Sequence, residues 1–378
     1  MKLRQRGHFT ECRTVVKLFA SVSVGLTRRG CRLNKRPSIK DVAALAGVSM
    51  ATVSRVLSGD YPVADETRKR VQRAVHELDY VVNAHARALH GATAKVVALV
   101  VAEVTTPFFA RIAAGVEEQA TEAHRLCLVC TTHADPDREL EVVRLMREQR
   151  ADAVILAGGV VENDDYRERM RQYAQGLEDA GSRLVLCARP SLGPDFPAIT
   201  VEYENVGGAH AATTHLLTAG HRTILMIAGP EGLTTSDQRV DGYRSALTAF
   251  GRPVDPALIS HGPWDREGGY RRTRAILASG TEFTAIFAGN DGVAAGAMAA
   301  LREAGRRVPD DVSIVGYDDI PSAVDFHPPL TTVRVPQEEL GRTAVKLAIQ
   351  RSSEASGREH VMLGTHVVVR ESVRRIGA

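Results

Sequence analysis

Long apolar runs are missing from this 378-residue chain. A membrane-spanning helix needs about 18 or more consecutive apolar residues, and no run approaches that length. Cysteine is scarce, with five residues that lack the paired spacing of a secreted disulfide scaffold. Cys127 and Cys130 lie three positions apart in an expected strand, so they should point to opposite faces and share no metal. We expect no membrane partner, and reduced, buried thiols in a cytoplasmic protein.

The sequence also lacks the short motifs of common enzymes. It has no G-x-x-x-x-G-K-[ST] phosphate loop, no G-x-G-x-x-G after an expected strand and no G-x-S-x-G nucleophile turn. Its 13 histidines show no metal-binding spacing. We therefore predict a protein that is not an enzyme and that has no cofactor and no metal site.

Negative charge is nearly absent from the first 36 residues, which hold ten Lys and Arg against one acid, Glu11. Because the whole chain has a net charge of +3, the remainder sums to −6. An acidic body cannot attract DNA through its overall field, so any phosphate contacts must be local. We expect residues 1–36 to be a disordered basic arm, or to lie upstream of the true start. A targeting peptide is disfavoured because no convincing cleavage site follows.

Residues 38–57 show a helix-turn-helix pattern. Ser38 is a suitable N-cap, apolar residues follow at helical spacing over Ile39–Ala46, and Gly47 can end that helix in a left-handed turn. A second helix is expected from Met50 to about Leu57, with Ser49 as its cap. Two short helices joined by a tight glycine turn allow the second helix to enter the major groove.

A third helix, Glu66–Leu78, would close a small core over the first two. The second helix would turn Val53, Val56 and Leu57 inward, and the residues left outside would be Met50, Ala51, Ser54 and Arg55. Taken alone, this pattern also fits an ordinary helical hairpin. The DNA-binding interpretation therefore depends on how far the match extends.

From Lys95 onward, apolar β-branched runs alternate with helical stretches. The first predicted strands are Val96–Ala102, Leu126–Cys130, Ala153–Ala157 and Leu184–Cys187. A second series begins with a helix at Val206–Ala219 and finishes with one strand over Val361–Val369. This alternation predicts two parallel sheets covered by helices, with a cleft at the carboxyl ends of their strands.

The run "IKDVAALAGVSMATVSRVL", followed by "VADETRKRVQRAVHELDY", "NAHARAL" and "AIFAGNDGVAAGAMAALREAGRRVPDDVSIVGYDD", resembles the lactose-repressor (LacI/GalR) family. The resemblance covers about residues 38–373. It implies an all-α helix-turn-helix headpiece and an α/β periplasmic-binding-protein-like core of two doubly wound parallel-sheet subdomains. The implied domains are the arm 1–36, the headpiece 37–82, a hinge helix and linker 83–94, and the core 95–378. Its subdomains would be roughly 95–204 with 333–360, and 205–332 with 361–378.

Arg55 is the strongest candidate for base recognition. A guanidinium can donate to guanine O6 and N7 together, which discriminates by about 1–3 kcal/mol; a phosphate contact or a solvated charge is the alternative. Met50 and Ala51 occupy positions from which the family contacts base edges. Both are apolar here, so they can touch only thymine methyl groups or exclude wrong bases. Hydroxyl groups that could bond phosphates belong to Ser49, Thr52 and Ser54.

The resemblance also implies a hinge helix that pairs with its twin on DNA. Its Leu89 would wedge into the minor groove, bending the duplex. Asn83 and Arg87 are the further DNA-contact candidates in this segment. Packing of Leu89 against the core is the alternative.

Effector-binding residues are implied at the strand ends. A small polar ligand needs a few convergent polar groups in an apolar cleft, and an aromatic face suits the C–H side of a sugar. The candidates are Phe108, Phe109, Arg189, Thr235, Arg239, Trp264, Asn290, Asp291 and Asp318. Each has a structural alternative: a helix cap for either aspartate, an ion pair for Arg239, or the core for Trp264. Relatives often carry an acid where this chain has Ala188, which counts against simple hexoses.

These features together predict a ligand-responsive DNA-binding transcription regulator. It would be a repressor and a homodimer on palindromic double-stranded operator DNA, controlled by a small-molecule effector of the carbohydrate class. The alternative is a solute-binding protein of a transport system, which would be exported and would not bind DNA. A sugar-modifying enzyme is disfavoured because no nucleophile or metal constellation is present.

Overall fold

The computed structural model describes residues 37–58, 62–80, 95–350 and 359–377. They belong to two compact units that divide after Asn83, and each unit is described by itself. The expected arm and hinge, residues 1–36 and 83–94, lie outside the described residues.

The first unit contains helices α1 (Ile39–Ala46), α2 (Met50–Ser58) and α3 (Asp65–Glu77). At the start of α1, the backbone N–H and the hydroxyl of Ser38 donate to one carboxylate oxygen of Asp41, at 2.8 and 2.6 Å. The helix ends at Gly47, whose φ of 63° lies in the left-handed region that glycine adopts without steric cost. The predicted helix-turn-helix is therefore confirmed, and α3 lies one residue earlier than expected.

The core of this unit is small. Val53 of α2 is wholly buried at its centre. The buried set is Val42, Ala43, Ala46, Val53, Val71 and Ala74. Val56 and Leu57 pack against it and are half-buried, as the inward face predicted from the sequence requires.

One six-stranded parallel sheet organises the first half of the second unit. Its order is β11–β5–β4–β3–β1–β2, where the strands are β1 (Val96–Val101), β2 (Leu126–Thr131), β3 (Ala153–Ala157), β4 (Arg183–Cys187), β5 (Ile199–Tyr203) and β11 (His360–Leu363). Leu99 of β1 is level with Val129 of β2 and Ile155 of β3. One face is covered by α4 (Pro107–Glu122) and α11 (Gln337–Ile349), and the other by α5 (Pro136–Glu148) and α6 (Asp164–Asp179).

A second six-stranded sheet has the order β12–β10–β9–β8–β6–β7, and only β12 runs antiparallel to its neighbour. Its strands are β6 (Ile224–Ile227), β7 (Ile259–Ser260), β8 (Ala285–Ala288), β9 (Ser313–Asp318), β10 (Thr331–Arg334) and β12 (His366–Val368). The accompanying helices are α7 (Asn205–Thr218), α8 (Thr234–Ala249), α9 (Arg266–Ala278) and α10 (Asp291–Glu303), with short 3₁₀ turns at Pro256–Leu258 and Pro321–Val324. Within the described ranges, no helix is long and apolar enough to cross a membrane.

Two expectations about the chain path are corrected. The single strand predicted over Val361–Val369 is two strands in different sheets, because the chain crosses between the sheets at Gly364 and Thr365. The subdomain boundaries expected at 332/333 and 360/361 fall inside β10 and β11, so the chain changes sheet a few residues later at each. Strands β5, β7 and β10 are absent from the sequence-based prediction.

The expectation of buried thiols is wrong for Cys127 and Cys130, which are only half-buried, whereas Cys187 is buried. The reason is that β2 lies at the outer edge of its sheet, where Leu126 and Val129 are 61% and 44% exposed. The two cysteines do lie on opposite faces, as predicted, since Cys127 packs against the α4 side and Cys130 against the α5 side.

Close contact between α4 and α11 depends on glycine. A methyl group at Gly115 would overlap the carbonyl oxygen of Glu338. We expect Gly115→Ala to lower the free energy of unfolding of the core by about 1–3 kcal/mol, because the helices must separate. Gly364→Ala is the matched control, since nothing lies within 4 Å of the added carbon, and it should stay within about 0.5 kcal/mol. Urea titration measures both, and equal values for the two variants would contradict the prediction.

Candidate DNA-binding and effector sites

The outer face of α2 carries the predicted DNA-contact residues. Met50, Ala51 and Arg55 are exposed, and Thr52 and Ser54 are half-buried. Ser49 caps the helix, since its hydroxyl accepts a hydrogen bond from the Thr52 amide at 3.1 Å. The hydroxyls of Ser49 and Thr52 also lie 2.9 Å apart.

Arg55 follows Ala51 by four positions, so the two share one face of α2. This face therefore offers one forked donor beside small apolar contacts, which suits guanine next to thymine methyl groups. The predicted hinge contacts Asn83, Arg87 and Leu89 lie outside the described residues.

Arg239 of α8 is the centre of a buried polar network between the two sheets, and it is only 2% exposed. Its guanidinium donates to four acceptors: Asn205 Oδ1 at 3.1 Å, the Gly289 carbonyl, Tyr203 OH at 2.9 Å and Asp318 Oδ1 at 3.0 Å. Its carbon also lies 3.7 Å from the ring centroid of Tyr317 and 4.8 Å from that of Trp264. The ion pair considered as an alternative role for Arg239 is therefore present.

Asp318 lies at the carboxyl end of β9 with φ of 103°, a region that side-chain-bearing residues rarely adopt. Burial raises the pKa of Asp318 to about 6, and the neighbouring Arg239 limits the increase. For Arg239, burial alone would lower the pKa, but the oxygens of Tyr203 and Asp318 outweigh it, so the guanidinium stays charged. Backbone strain and a perturbed carboxyl group at one position are typical of functional sites.

Asn290 and Asp291 begin α10, and their side chains have different partners. Asn290 is the helix cap: its oxygen accepts from the Val293 amide at 2.7 Å, while its nitrogen donates to the Trp264 carbonyl at 2.9 Å. Asp291 is wholly buried, and its oxygens accept from Thr332 Oγ1 at 2.6 Å and the Ile320 amide at 2.8 Å. Burial, followed by the charge of Asp318, raises its pKa well above the ordinary value.

Trp264 is half-buried, and its indole packs against the backbone at Gly229 and Gly289. A side chain at either glycine would collide with the indole. Its Nε1 is buried and has no hydrogen-bond partner among the described residues. Since the indole stacks on Arg239, it forms one wall of the network.

The first half of the core supplies the opposite wall of the Arg239 network. Phe108 points into the core against Tyr203, and their ring centroids lie 6.0 Å apart. The ring of Phe109 packs edge-on against that of Phe108, with centroids 5.5 Å apart. The two halves touch at Val160 and Thr234: the Val160 amide donates to Thr234 Oγ1 at 3.1 Å, and the Thr234 amide donates to the Val160 carbonyl at 2.9 Å. Beside this contact, Thr235 is buried directly against Gly159.

A cavity of about 260 Å³ lies at the carboxyl ends of β1–β4. Arg189 lines it, is 6% exposed, and donates to Glu139 Oε2 at 2.8 Å. Other lining residues include Phe109, Thr132, Tyr166, Arg169 and Leu233.

Of these lining residues, Phe109 and Arg189 are among the candidates predicted from the sequence. Glu139, Tyr166 and Arg169 also line the cavity and are absent from that prediction. An available signal was Asp135-Pro136 after β2, which marks a helix start at the cleft. A residue in the first turn of that helix, such as Glu139, would then face the cleft.

A surface helix suited to the major groove and a two-sheet core with a polar cleft define a DNA-binding regulator with a ligand-binding core. Comparisons with known proteins agree. Residues 38–83 match the model of the bacterial regulatory proteins, lacI family, and residues 213–373 match a periplasmic binding protein-like domain. The chain is 37% identical over 344 residues to the HTH-type transcriptional regulator CelR of Thermobifida fusca, covering 89% of this chain and 98% of that protein.

Two solved structures are similar. The lac repressor dimer bound to operator and an anti-inducer has a TM-score of 0.77 at 26% identity, covering 90% of this chain and all of the other. The structure of the CelR–cellobiose complex has a TM-score of 0.65 at 35% identity. The match covers 89% of this chain and all of the other. The chain belongs to the LacI family of bacterial transcriptional regulators, as the resemblance predicted. It is a regulator and not an enzyme, and the transport-protein alternative is not supported, since the relatives matched along nearly their whole length are regulators.

Proposed function

We propose that this regulator is a repressor whose affinity for operator DNA is set by a small carbohydrate bound in the core. The main support is the similar CelR–cellobiose complex, whose match covers 89% of this chain. The cleft chemistry agrees, because the aromatic rings of Phe109 and Trp264 lie close to forked and amide donors. A protein that binds the bacterial chromosome acts in the cytoplasm.

The DNA-bound form is proposed to be a homodimer on a palindromic operator. The similar lac repressor structure is a dimer bound to operator, and a helix-turn-helix dimer sets half-site spacing by its own symmetry. Arg55 would contact a base, and Met50 and Ala51 would touch thymine methyl groups. Phosphate contacts are assigned to Ser49, Thr52 and Ser54, and hinge contacts to Asn83, Arg87 and Leu89.

In the core, we assign effector contact to Phe109, Arg189, Thr235, Arg239, Trp264, Asn290 and Asp318. Phe108 and Asp291 would act through them, because Phe108 packs inside the core and both oxygens of Asp291 are occupied. A ligand changes DNA affinity only through unequal affinity for two arrangements of the protein. The contact between Val160 and Thr234 is suited to report such a change, since it joins the two halves at the cleft.

Replacing Arg55 by alanine should weaken binding to the best operator by about 1–3 kcal/mol and relax selectivity at one base pair. Fluorescence anisotropy with variant operators at two salt concentrations measures both effects. Arg271→Ala is the control, since it removes one exposed charge from α9 in the core. An Arg55→Ala protein that binds every operator as tightly as the parent would rule out base recognition by this residue.

Cellobiose is the first effector to test. We expect it to change operator affinity and the fluorescence of Trp264, the only tryptophan of the chain. A carbohydrate that releases DNA but leaves the fluorescence unchanged would remove Trp264 from the site.

A further inference from the structure

The backbone takes an unusual path at the carboxyl end of β9. Asp318 has φ of 103° and Asp319 has φ of 54°, so two residues that carry side chains follow each other at positive φ. Aspartate tolerates the left-handed region near 54°, but 103° lies outside that region. Such a conformation persists only where the surrounding contacts enforce it. The contacts of Asp319 therefore bear on the position of Asp318.

Asp319 is the centre of an ion cluster that is separate from the network of Arg239. Its carboxylate is 5% exposed, and it accepts from Arg370 Nη2 at 2.7 Å with one oxygen and from Arg334 Nε at 2.6 Å with the other. Arg370 also donates to the Leu330 carbonyl at 2.7 Å. Charge-assisted bonds to both oxygens leave the carboxylate a single orientation. We call Asp319, Arg334 and Arg370 the Asp319 cluster.

The residues on either side of Asp319 have partners of their own. The Ile320 amide donates to Asp291 Oδ2 at 2.8 Å, and the Asp318 carboxylate accepts from Arg239 at 3.0 Å. No hydrogen bond or ion pair among the described residues joins Arg239 to Asp319. Any effect of the Asp319 position on Arg239 must therefore pass through the backbone of Asp318.

The Asp319 cluster lies where the chain crosses from the second sheet to the first. Arg334 is the last residue of β10, and α11 begins at Gln337, whose side chain donates to the Asp318 carbonyl. The cluster lines a cavity of about 410 Å³ together with residues of α4 and α11 from the first half. A rotation of one half against the other would therefore move groups that contact residues 318 and 319.

We propose that Asp319 is a positioning residue for the effector site. With Arg334 and Arg370, it fixes the backbone of residues 318 and 319 so that the Asp318 carboxylate faces Arg239. Asp319 acts through Asp318 and is not itself assigned to effector contact. The role of Asp318 as an effector contact rests on the proposed function, whereas its placement by Asp319 is independent of that function.

A double-mutant cycle in the full chain tests the placement, with stability measured by urea unfolding at pH 8. In the Asp319→Gly background, Arg239→Met should lose less than about half of the stability that it loses in the parent, because Asp318 then no longer faces Arg239. Residues that do not act on each other contribute additively, so this difference measures the coupling. Glycine adopts positive φ freely, so the variant removes the carboxylate without adding strain.

Asp319→Asn is the conservative variant. Asparagine keeps an acceptor oxygen for the arginines and tolerates the left-handed region, so Arg239→Met should lose at least about four fifths of its loss in the parent. Because asparagine is uncharged, this result would exclude a direct effect of the Asp319 charge on Arg239. Asp319→Ala should behave like the glycine variant, and it replaces that variant if the glycine protein does not unfold cooperatively.

His124→Gly is the control for glycine itself. It introduces the same residue at another left-handed position, with φ of 56°, just before the amino end of β2. The carboxyl ends of the strands, where the effector site lies, are at the opposite edge of the sheet. The loss caused by Arg239→Met should therefore be the same in this background as in the parent.

Cellobiose binding, measured by isothermal calorimetry, gives the functional result. The affinity should fall at least about tenfold in Asp319→Gly, and less than about threefold in Asp319→Asn and His124→Gly. Unchanged cellobiose affinity in a glycine variant that has lost the coupling would overturn Asp318 as an effector contact. A parent that binds no cellobiose would overturn this sugar as the effector, and the cycle would still decide the placement.

The placement itself is overturned by either of two results. One is an Arg239→Met loss in the Asp319→Gly protein that reaches about four fifths or more of the loss in the parent, since the two sites would then be additive. The other is an equal reduction in the Asp319→Asn protein, because the effect would then belong to the charge of Asp319 and not to its position.

Discussion

Replacing Arg239 by methionine should lower the free energy of unfolding of the core by about 3–5 kcal/mol, the usual cost of breaking a buried ion pair from one side. The variant leaves Asp318 buried without its counter-charge and removes the donor of four hydrogen bonds. Denaturant unfolding, followed by circular dichroism, measures the loss. Arg244→Met on the same helix is the control, because its guanidinium is exposed and pairs only at the surface with Asp241.

The decrease in the free energy of unfolding caused by Arg239→Met should depend on pH. In the parent, the folded-state pKa of Asp318 is about 6, above the ordinary value of 3.8. The folded protein therefore binds this proton more tightly than the unfolded chain, and the contribution of this carboxyl to stability increases as pH falls from 6 towards 3.8. Without Arg239 the pKa rises further, so the variant should be less destabilised at pH 5 than at pH 8.

A second substitution separates the effect of the unpaired Asp318 charge from the effect of the packing lost with Arg239. Arg239→Met combined with Asp318→Asn removes the unpaired charge, and asparagine tolerates the positive φ of position 318 better than an apolar residue. We expect the double variant to recover more than half of the loss. A loss below 1 kcal/mol for Arg239→Met, or equal losses at pH 5 and pH 8, would show that Asp318 does not depend on this partner.

Much of the fold is predictable because local patterns agree with the final packing. Strands β1 and β3 are continuous apolar runs and are buried on both faces, and α1 carries both its cap and its stop signal. Strands β11 and β12 show the limit of this reasoning. The stretch "HVMLGTHVVVR" has the pattern of one strand, and only pairing with β5 and with β10 separates it into two.

The candidate site also has a part that the sequence predicts and a part that it does not. Arg239, Trp264, Asn290 and Asp318 were identified from strand ends and a family resemblance, and the structure brings them together. The acceptors that occupy Arg239 could not be predicted, because Asn205, Gly289 and Asp318 lie 34, 50 and 79 positions away. Glu139, Tyr166 and Arg169 lie on α5 and α6, so their place in the cavity depends on how those helices pack.

Replacing Val53 by aspartate should abolish specific DNA binding while leaving the core folded. Val53 is wholly buried and is one of six buried residues in the described part of this unit, and a domain this small has little stability in reserve. An unpaired carboxylate there has no partner to offset its desolvation, so the headpiece should unfold. We expect operator affinity to fall by at least about 100-fold, or about 2.8 kcal/mol at 1.4 kcal/mol per factor of ten.

Leu45→Asp is the matched control for this variant, because it adds the same charge to the same unit at a position that is 47% exposed. It should keep the headpiece folded and reduce DNA affinity only modestly, through charge repulsion with phosphates. In Val53→Asp, the calorimetric transition of the core should persist, since the core is a compact unit with hydrophobic clusters of its own. Operator affinity within threefold of the Leu45→Asp protein would mean that recognition does not depend on the three-helix core, and the assignment of α2 as the DNA-contact helix would fail with it.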